Sequence, residues 1–125
     1  MIVSDDRVAV FLAKALGTNI VPPYVVVGTE KDGEIINGVL INHFTGFDCH
    51  VSVAGRGWSR QLIAGIGEYV FDKLLCERMT IVSEQPRVIS IAMRLGGEVE
   101  GYMRNHFGPG RNATIIGILK ADWRF

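Results

Sequence analysis

The sequence predicts one mixed α/β (α+β) domain, in which three helices flank a mostly antiparallel, twisted sheet of about six strands. Three segments carry apolar residues at helical spacing, and the segments between them are rich in β-branched residues and end in glycine-containing turns. The 125 residues suit a single domain over residues 1–125, and a hydrophobic content of 48% provides enough apolar material for a core.

The first half of the chain is predicted to form a helix and then a meander of three strands. Apolar residues recur at helical spacing over residues 8–16, and Gly17 is placed where a left-handed cap ends a helix. The segment 30–34 is a hairpin turn signal, and Thr45-Gly46 is predicted to form a second turn. The three strands cover about residues 24–27, 35–44 and 47–53.

The second half is predicted to form two helices, a strand between them and a final pair of strands. Apolar residues recur at every fourth position from Trp58 to Leu74, which predicts a long helix. Pro86 suits the first turn of the next helix, which ends at Gly96-Gly97. The strands cover about residues 79–82, 99–107 and 113–123, so the order includes a strand–helix–strand crossover.

Charge and composition argue against several classes of function. Thirteen basic and thirteen acidic residues cancel, whereas proteins that bind nucleic acids or membrane surfaces generally carry a basic excess, so neither partner is expected. No apolar stretch approaches the roughly 18 residues of a membrane span, and the N-terminal residues lack the features of a signal peptide. Cys49 and Cys76 are too few for a disulfide framework, and we expect a cytoplasmic protein.

A glycine-rich turn between the third strand and the second helix, from Ala54 to Ser59, is the most informative stretch. Such a turn presents unpaired backbone N–H groups at the positive end of the helix dipole, which suits a phosphate or pyrophosphate. Arg56 and Arg60 would add full positive charge. The turn lacks the ending of a Walker loop and the glycine spacing of a dinucleotide fingerprint. The need for a tight turn alone would also explain its glycines.

The order of the elements and this turn together resemble the GNAT superfamily of acyl-CoA-dependent N-acyltransferases. Members bind the coenzyme A pyrophosphate with an Arg/Gln-x-x-Gly-x-Gly/Ala motif, in which Gly57 matches the central glycine and Ser59 the final position. Ala54 stands where the family has Arg or Gln. The resemblance implies acetyl-CoA as the cofactor. It also implies contacts from the third strand, the turn and the start of the third helix, at Val51, Ser52, Val53, Gly55, Arg56, Gly57, Trp58, Ser59, Arg60 and Gln85.

The C-terminal third is similar to the ribosomal-protein-acetyltransferase-like branch of that superfamily. The Leu95-Gly96 step looks like the end of the family's closing helix, and residues 117–123 look like its last strand. Gly97 replaces the usual Phe. Ala92 stands at the position where many members carry a tyrosine that protonates the departing thiolate.

Candidate catalytic groups lie on the third strand, where Asp48, His50 and Ser52 share one face and Cys49 lies on the other. If the preceding turn is a two-residue hairpin loop, His43 lies opposite Asp48, with His50 one diagonal away. A carboxylate beside an imidazole raises its pKa, so His50 is the first candidate for a general base, with Asp48 and His43 behind it. The alternative is an ordinary solvated sheet face. A metal site is not expected, because Cys49 and His50 point to opposite sides.

The sequence leaves three functions open. The first is an N-acetyltransferase that moves an acetyl group from acetyl-CoA to a primary amine by direct attack, with a small-molecule or peptide acceptor. The second is a GNAT-fold domain without catalysis that binds a protein partner, which Ala54 and Ala92 favour. The third is an acyl-CoA sensor. The resemblance also implies a homodimer, and the fold does not identify the acceptor.

Overall fold

The computed structural model describes residues 1–125 and consists of one seven-stranded sheet with helices on both faces. The strands are β1 (Ile2–Val3), β2 (Tyr24–Lys31), β3 (Glu34–Asn42), β4 (His50–Gly55), β5 (Arg78–Ser83), β6 (Glu98–Met103) and β7 (Ala113–Leu119). The helices are α1 (Asp6–Leu16), α2 (Arg60–Gly67) and α3 (Pro86–Arg94), with a π-helical turn (Glu68–Lys73) after α2 and a 3-10 turn (Lys120–Asp122) after β7. No helix is long and apolar enough to cross a membrane. The spatial order is β1-β2-β3-β4-β5-β7-β6, and only β4 and β5 are parallel.

The mixed α/β class, the mostly antiparallel sheet and the three flanking helices are confirmed, whereas the predicted count of about six strands is one too low. The missing strand is β1, in which Ile2 pairs with Thr29 and Val3 with Gly28 at one edge of the sheet. Two residues are too few to show the alternation that reveals a strand in a sequence. In addition, β4 begins at His50, three residues later than predicted.

Helix α1 covers one face of β2, β3 and β4. It begins after Asp5, whose carboxylate accepts a hydrogen bond from the Arg7 N–H. It ends at Gly17, whose φ of 64° is the predicted left-handed cap. Val8 and Leu12 lie four residues apart and are fully buried against the sheet. They form a small core with Val26, Leu40 and Ala54.

Helices α2 and α3 cover the opposite face and bury the larger core. This core contains 14 buried residues from β3, β4, β5, β7, the two helices and the segments that flank them. Neighbouring residues of a strand point to opposite faces, so Cys49 and Val51 enter this core while His50 and Ser52 face the α1 side. The sheet therefore separates an apolar, helix-covered side of β4 from a polar side.

The end of α2 widens into the π-helical turn, where the Leu74 N–H donates to the Tyr69 carbonyl at 2.8 Å. The predicted apolar positions Leu62, Ile66, Val70 and Leu74 follow one another at intervals of four. A step of four residues overshoots one α-helical turn by about 40°, so these positions would drift off the core along a regular helix. The wider turn reverses the drift, which keeps Val70 fully buried and Leu74 packed against the same core as Leu62.

Candidate functional site

The parallel strands β4 and β5 separate after a single bridge and leave a cleft in the middle of the sheet. The bridge pairs His50 with Thr80, and the Thr80 N–H donates to the Cys49 carbonyl at 2.8 Å. Further along β4, the Val53 carbonyl accepts a hydrogen bond from Gln85 Nε2 at 3.1 Å and not from a β5 residue. The cleft is therefore narrow at His50 and open at the C-terminal end of β4.

An apolar cavity of about 130 Å³ lies under the cleft, between α2 and α3. Seventeen residues line it, and 14 of them are hydrophobic. Its near end adjoins the glycine-rich turn, and its far end is formed by Leu95 and Trp123. The structure brings five of the predicted cofactor-binding residues together around its near end: Val51, Val53, Gly55, Trp58 and Gln85.

The glycine-rich turn at the open end of the cleft depends on glycine because it passes close to β3. Gly55 and Gly57 have φ values of 105° and 73°, in the left-handed range. A Cβ atom at Gly55 would lie 2.3 Å from the Ile36 carbonyl oxygen, so no other residue fits there. The need for a tight turn therefore accounts for Gly55 without any ligand.

The backbone N–H groups of residues 57–61 have no hydrogen-bond acceptor within the protein. The first bonded N–H of α2 is that of Leu62, which donates to Ser59 Oγ at 3.1 Å. Ser59 is therefore the N-cap of α2, and its hydroxyl is committed to the helix. Consecutive free N–H groups at the positive end of a helix form a suitable site for a phosphate group.

Asn37, in β3, sets the orientation of this turn. Its side chain is fully buried, and Nδ2 donates to the carbonyl oxygens of Arg56 at 2.8 Å and Gly57 at 3.3 Å. Its Oδ1 accepts a hydrogen bond from the Thr29 N–H at 2.9 Å. Because the carbonyls are held inward, the N–H groups of the same peptides, those of Gly57 and Trp58, point outward. This role has no sequence signal, since a lone asparagine in a strand belongs to no motif.

The other predicted residues of the turn lie around the open end of the cleft. Arg56 is exposed and its side chain makes no hydrogen bond or ion pair. Arg60 lies over the Phe125 ring, with Cζ 5.0 Å from the ring centroid. Trp58 Nε1 donates to the Gly55 carbonyl at 3.3 Å, and this bond holds the indole at the mouth of the cavity. Arg56 is thus free to meet an anion, whereas Arg60 is shared with Phe125.

The connection between β3 and β4 is longer than the predicted two-residue hairpin. Strand β3 ends at Asn42, which pairs with His50, so residues 43–49 form the loop. The prediction that His43 lies opposite Asp48 is therefore wrong, because it depended on that loop length. His43 lies beside His50 instead, with the ring centroids 4.9 Å apart.

Asp48 is held by β5 and not by a histidine. Thr80 Oγ1 donates to the Asp48 carboxylate at 2.8 Å, and Arg78 Nε lies 3.5 Å from the same oxygen. Arg78 also donates to both carboxylate oxygens of Glu100 in β6, at 2.7 and 3.1 Å. This network lies near His50 on the polar side of β4. Arg78, Thr80 and Glu100 belong to no motif. The alternation of polar and apolar residues along β5 is the one sequence signal for Arg78 and Thr80, and Glu100 in β6 has none.

Burial lowers the pKa of His50 below the ordinary value for histidine, and repulsion from His43 and Arg78 adds to this effect. The attraction of Asp48 opposes it but is outweighed. The expectation that a nearby carboxylate raises the pKa of this histidine is therefore corrected. A neutral imidazole has a free ring nitrogen that can accept a proton, so His50 is in the correct form for a base at neutral pH.

The lowered pKa of His50 predicts a pH dependence of stability. As the pH falls through 6.5 the unfolded chain takes up a proton on His50, whereas the folded protein does so only at lower pH. The stabilisation is therefore present above that value and is lost as the pH falls through the folded-state pKa. We expect His50→Gln to lose less free energy of unfolding than the wild type between about pH 7 and pH 5, measured by urea denaturation. Equal losses would show that His50 titrates like an exposed histidine.

The two cysteines are free thiols buried in the larger core. Burial raises the pKa of the Cys49 thiol to about 12, so the group stays protonated and is a poor nucleophile at neutral pH. No group of three or more His, Cys, Asp or Glu side chains is arranged to hold a metal ion.

Solved structures similar to this one include several acetyltransferases. A mutant form of the spermidine/spermine N-acetyltransferase SpeG from Vibrio cholerae has a TM-score of 0.73 at 13% identity, over 97% of this chain and 95% of that chain. The Vibrio cholerae spermidine N-acetyltransferase in complex with CoA and spermine has a TM-score of 0.65 at 18% identity, over 79% of this chain and 66% of that chain. A ribosomal-protein alanine acetyltransferase from Vibrio fischeri has a TM-score of 0.64 at 19% identity, over 82% of this chain and 63% of that chain.

At sequence identities of 13% to 19%, the similarity of these structures establishes the fold of this chain. The GNAT fold that the sequence resembles is therefore confirmed. The chain spans slightly less than two thirds of the length of the Vibrio fischeri protein. No family model matches the sequence, and no curated protein matches it.

Proposed function

We propose that the protein is an N-acyltransferase that moves an acetyl group from acetyl-CoA to a primary amine. The observation that carries this proposal is the cleft between β4 and β5, which closes at one bridge and opens onto a turn with free N–H groups. A pantetheine arm suits a gap between parallel strands, because its amides can replace the missing backbone hydrogen bonds. The fold shared with acetyltransferases, one of them solved with CoA, supports the same assignment.

Three parts of the chain would hold the coenzyme. The free N–H groups of residues 57–61 and the Arg56 guanidinium would bind the pyrophosphate. The Val53 carbonyl faces the cleft and would accept a hydrogen bond from a pantetheine amide. Gln85 Nε2 donates to the same Val53 carbonyl, so its amide would turn aside to let the coenzyme bind. Trp58 would cover the arm where it enters the cavity.

The chemistry follows from the position of His50 at the narrow end of the cleft. The donor supplies an acyl thioester, whose carbonyl carbon is attacked by the acceptor nitrogen. His50 accepts the proton that the amine loses, and the Val53 N–H donates to the carbonyl oxygen as it gains negative charge. The C–S bond then breaks, and the coenzyme leaves as a thiolate that takes a proton from water, because Ala92 offers no acid.

The acceptor amine would approach from the polar side of β4. There the carboxylates of Asp48 and Glu100 lie on either side of the Arg78 guanidinium, so this group of three side chains has one negative charge in excess. This excess favours a positively charged amine, small or peptidic, over an anionic acceptor. With both cysteines free, we also propose that residues 1–125 act as one domain in the reducing cytoplasm.

Binding and turnover distinguish this proposal from its two alternatives. Millimolar acetyl-CoA should raise Tm by several degrees, because a ligand at a hundredfold over its Kd adds about 2.7 kcal/mol, while free adenine nucleotides should raise it less. Release of free thiol when a polyamine is added identifies an enzyme. A shift in Tm without thiol release for any amine points to an acyl-CoA sensor. The absence of a shift points to a domain that binds a protein partner.

His50→Ala is expected to lower kcat about 100-fold, the effect of removing a general base. The Kd for acetyl-CoA should stay unchanged, since the His50 side chain faces away from the cavity. Steady-state kinetics and calorimetric titration measure the two quantities. His106→Ala, a change at an exposed histidine of the β6–β7 loop, is the control and should alter neither. Parallel losses of kcat and affinity would make His50 a structural residue.

A further inference from the structure

We infer that the far half of the cavity between α2 and α3 binds the acyl chain of the donor and favours chains of about three to four carbons over acetyl. This inference rests on the proposed function, because it assigns part of the same cavity to the group that is transferred. The near half, at Val53 and Trp58, is where the pantetheine arm enters.

The cavity continues past the point at which the two strands join. Met79 and Ile118, which pair between β5 and β7, both line it, although Met79 precedes the bridging residue Thr80. A donor that enters at the glycine-rich turn and follows the cleft places its thioester between the Val53 N–H and the bridge at His50. Space beyond the bridge on the helix-covered face is therefore space beyond the thioester, and only an acyl chain extends into it.

The walls of the far half are apolar. The only lining side chains with a charge or an amide are Gln85 and Arg87, and both lie at the N-terminal end of α3, near the turn. Pantetheine amides would find no hydrogen-bond partners at the far end, and burial of an unpaired amide is costly. A methylene chain carries no such cost and replaces empty space with dispersion contacts. The chemistry of the walls therefore selects the acyl chain as the occupant.

The size of the cavity sets the length of that chain. A cavity of about 150 Å³ lined by Leu, Ile and Phe stays dry and binds one benzene molecule, which has six carbons. The whole cavity here measures about 130 Å³ and the pantetheine arm takes its near half, so the far half suits about two to three carbons beyond the thioester carbonyl, more than the single methyl of acetyl. Trp123 lines the far end and packs on Gly67, where a Cβ atom would lie 2.5 Å from the indole Nε1. The Arg124 N–H fixes this segment by donating to the Leu95 carbonyl at 3.1 Å. The indole therefore bounds the far end and limits the chain length.

Calorimetric titration of the wild type with acetyl-, butyryl-, hexanoyl- and decanoyl-CoA tests this inference. Each methylene up to butyryl should tighten binding about fourfold, which corresponds to about 0.8 kcal/mol, and hexanoyl- and decanoyl-CoA should bind no more tightly than butyryl-CoA. Leu95→Phe fills the far end and should remove most of the gain from acetyl to butyryl. Leu74→Phe is the matched control, because Leu74 packs against the same core outside the cavity, and it should keep the gain.

The possible results separate the two proposals. Equal affinities along the series, with acetyl-CoA bound, overturn the acyl-chain assignment and leave the proposed function standing. Failure of every thioester to bind overturns the proposed function. Trp123→Leu tests the same cavity in the opposite direction, by opening its far end, and remains informative if Leu95→Phe does not fold. It should move the preferred chain from butyryl towards hexanoyl, and an unchanged preference would contradict the assignment.

Discussion

Gly57→Glu is expected to abolish binding of acetyl-CoA, with a rise in Kd of roughly 100-fold or more. The change places a carboxylate among the free N–H groups of residues 57–61, where an anionic group of the ligand would lie. The new carboxylate competes for those donors and repels the pyrophosphate. Calorimetric titration of the variant with acetyl-CoA measures the loss directly.

Gly57→Ala is the matched control for this prediction. Both variants share the left-handed φ of 73° and a Cβ atom 2.6 Å from Ile36 Cδ1, which is the end of a flexible side chain. Both should therefore fold, at a backbone cost of about 1 to 2 kcal/mol. If alanine weakens binding as much as glutamate, the shape of the turn is responsible and not its charge. If neither variant weakens binding, the pyrophosphate lies elsewhere.

Asn37→Ala is expected to lower the free energy of unfolding by roughly 3 kcal/mol and to weaken acetyl-CoA binding in the protein that remains folded. The variant leaves the Thr29 N–H and the Arg56 carbonyl without partners at a fully buried position, and each such group costs about 1–3 kcal/mol. It also releases the Gly57 carbonyl, so the turn loses its fixed orientation. Urea denaturation and titration below the transition measure the two effects.

Asn42→Ala provides the comparison, because it makes the same change in the same strand. The Asn42 side chain is half-buried and makes no hydrogen bond, so its removal should change stability by no more than about 0.5 kcal/mol. A loss of binding in Asn37→Ala without a loss of stability would mean that Asn37 contacts the ligand itself. Unchanged stability and binding would show that the turn keeps its shape without the amide.

The parts of the fold that were predicted correctly are those set by local signals. Gly17 ends α1 because a left-handed cap requires glycine, and Pro86 begins α3 because its missing N–H costs nothing in a first turn. The order of helices and strands follows in the same way from apolar periodicity and turn residues. Such signals involve residues a few positions apart, so the sequence displays them directly.

The candidate site was predicted less completely because half of it forms by pairing across the sheet. Arg78 and Glu100 are 22 positions apart in sequence. They meet because β7 pairs with both β5 and β6, and in this register the two side chains lie on the same face of the sheet. The prediction that His43 lies opposite Asp48 is wrong for a related reason. A longer loop changes the register, and register decides which side chains are opposite one another.

Because β4 and β5 share a single bridge, the seven strands lie side by side as one sheet, but few backbone hydrogen bonds cross its middle. Strands β1 to β4 form one ladder, and β5 to β7 form another. Apart from a few backbone bonds at the bridge and just before it, side chains join the two ladders. The larger core takes Val39 and Val51 from the first ladder and Ile81 and Ile116 from the second. Cooperative unfolding of the whole domain therefore depends on packing beneath α2 and α3 more than on the backbone. A ligand that bonded both ladders would complete the sheet, and substrate binding and folding stability would then share the same contacts.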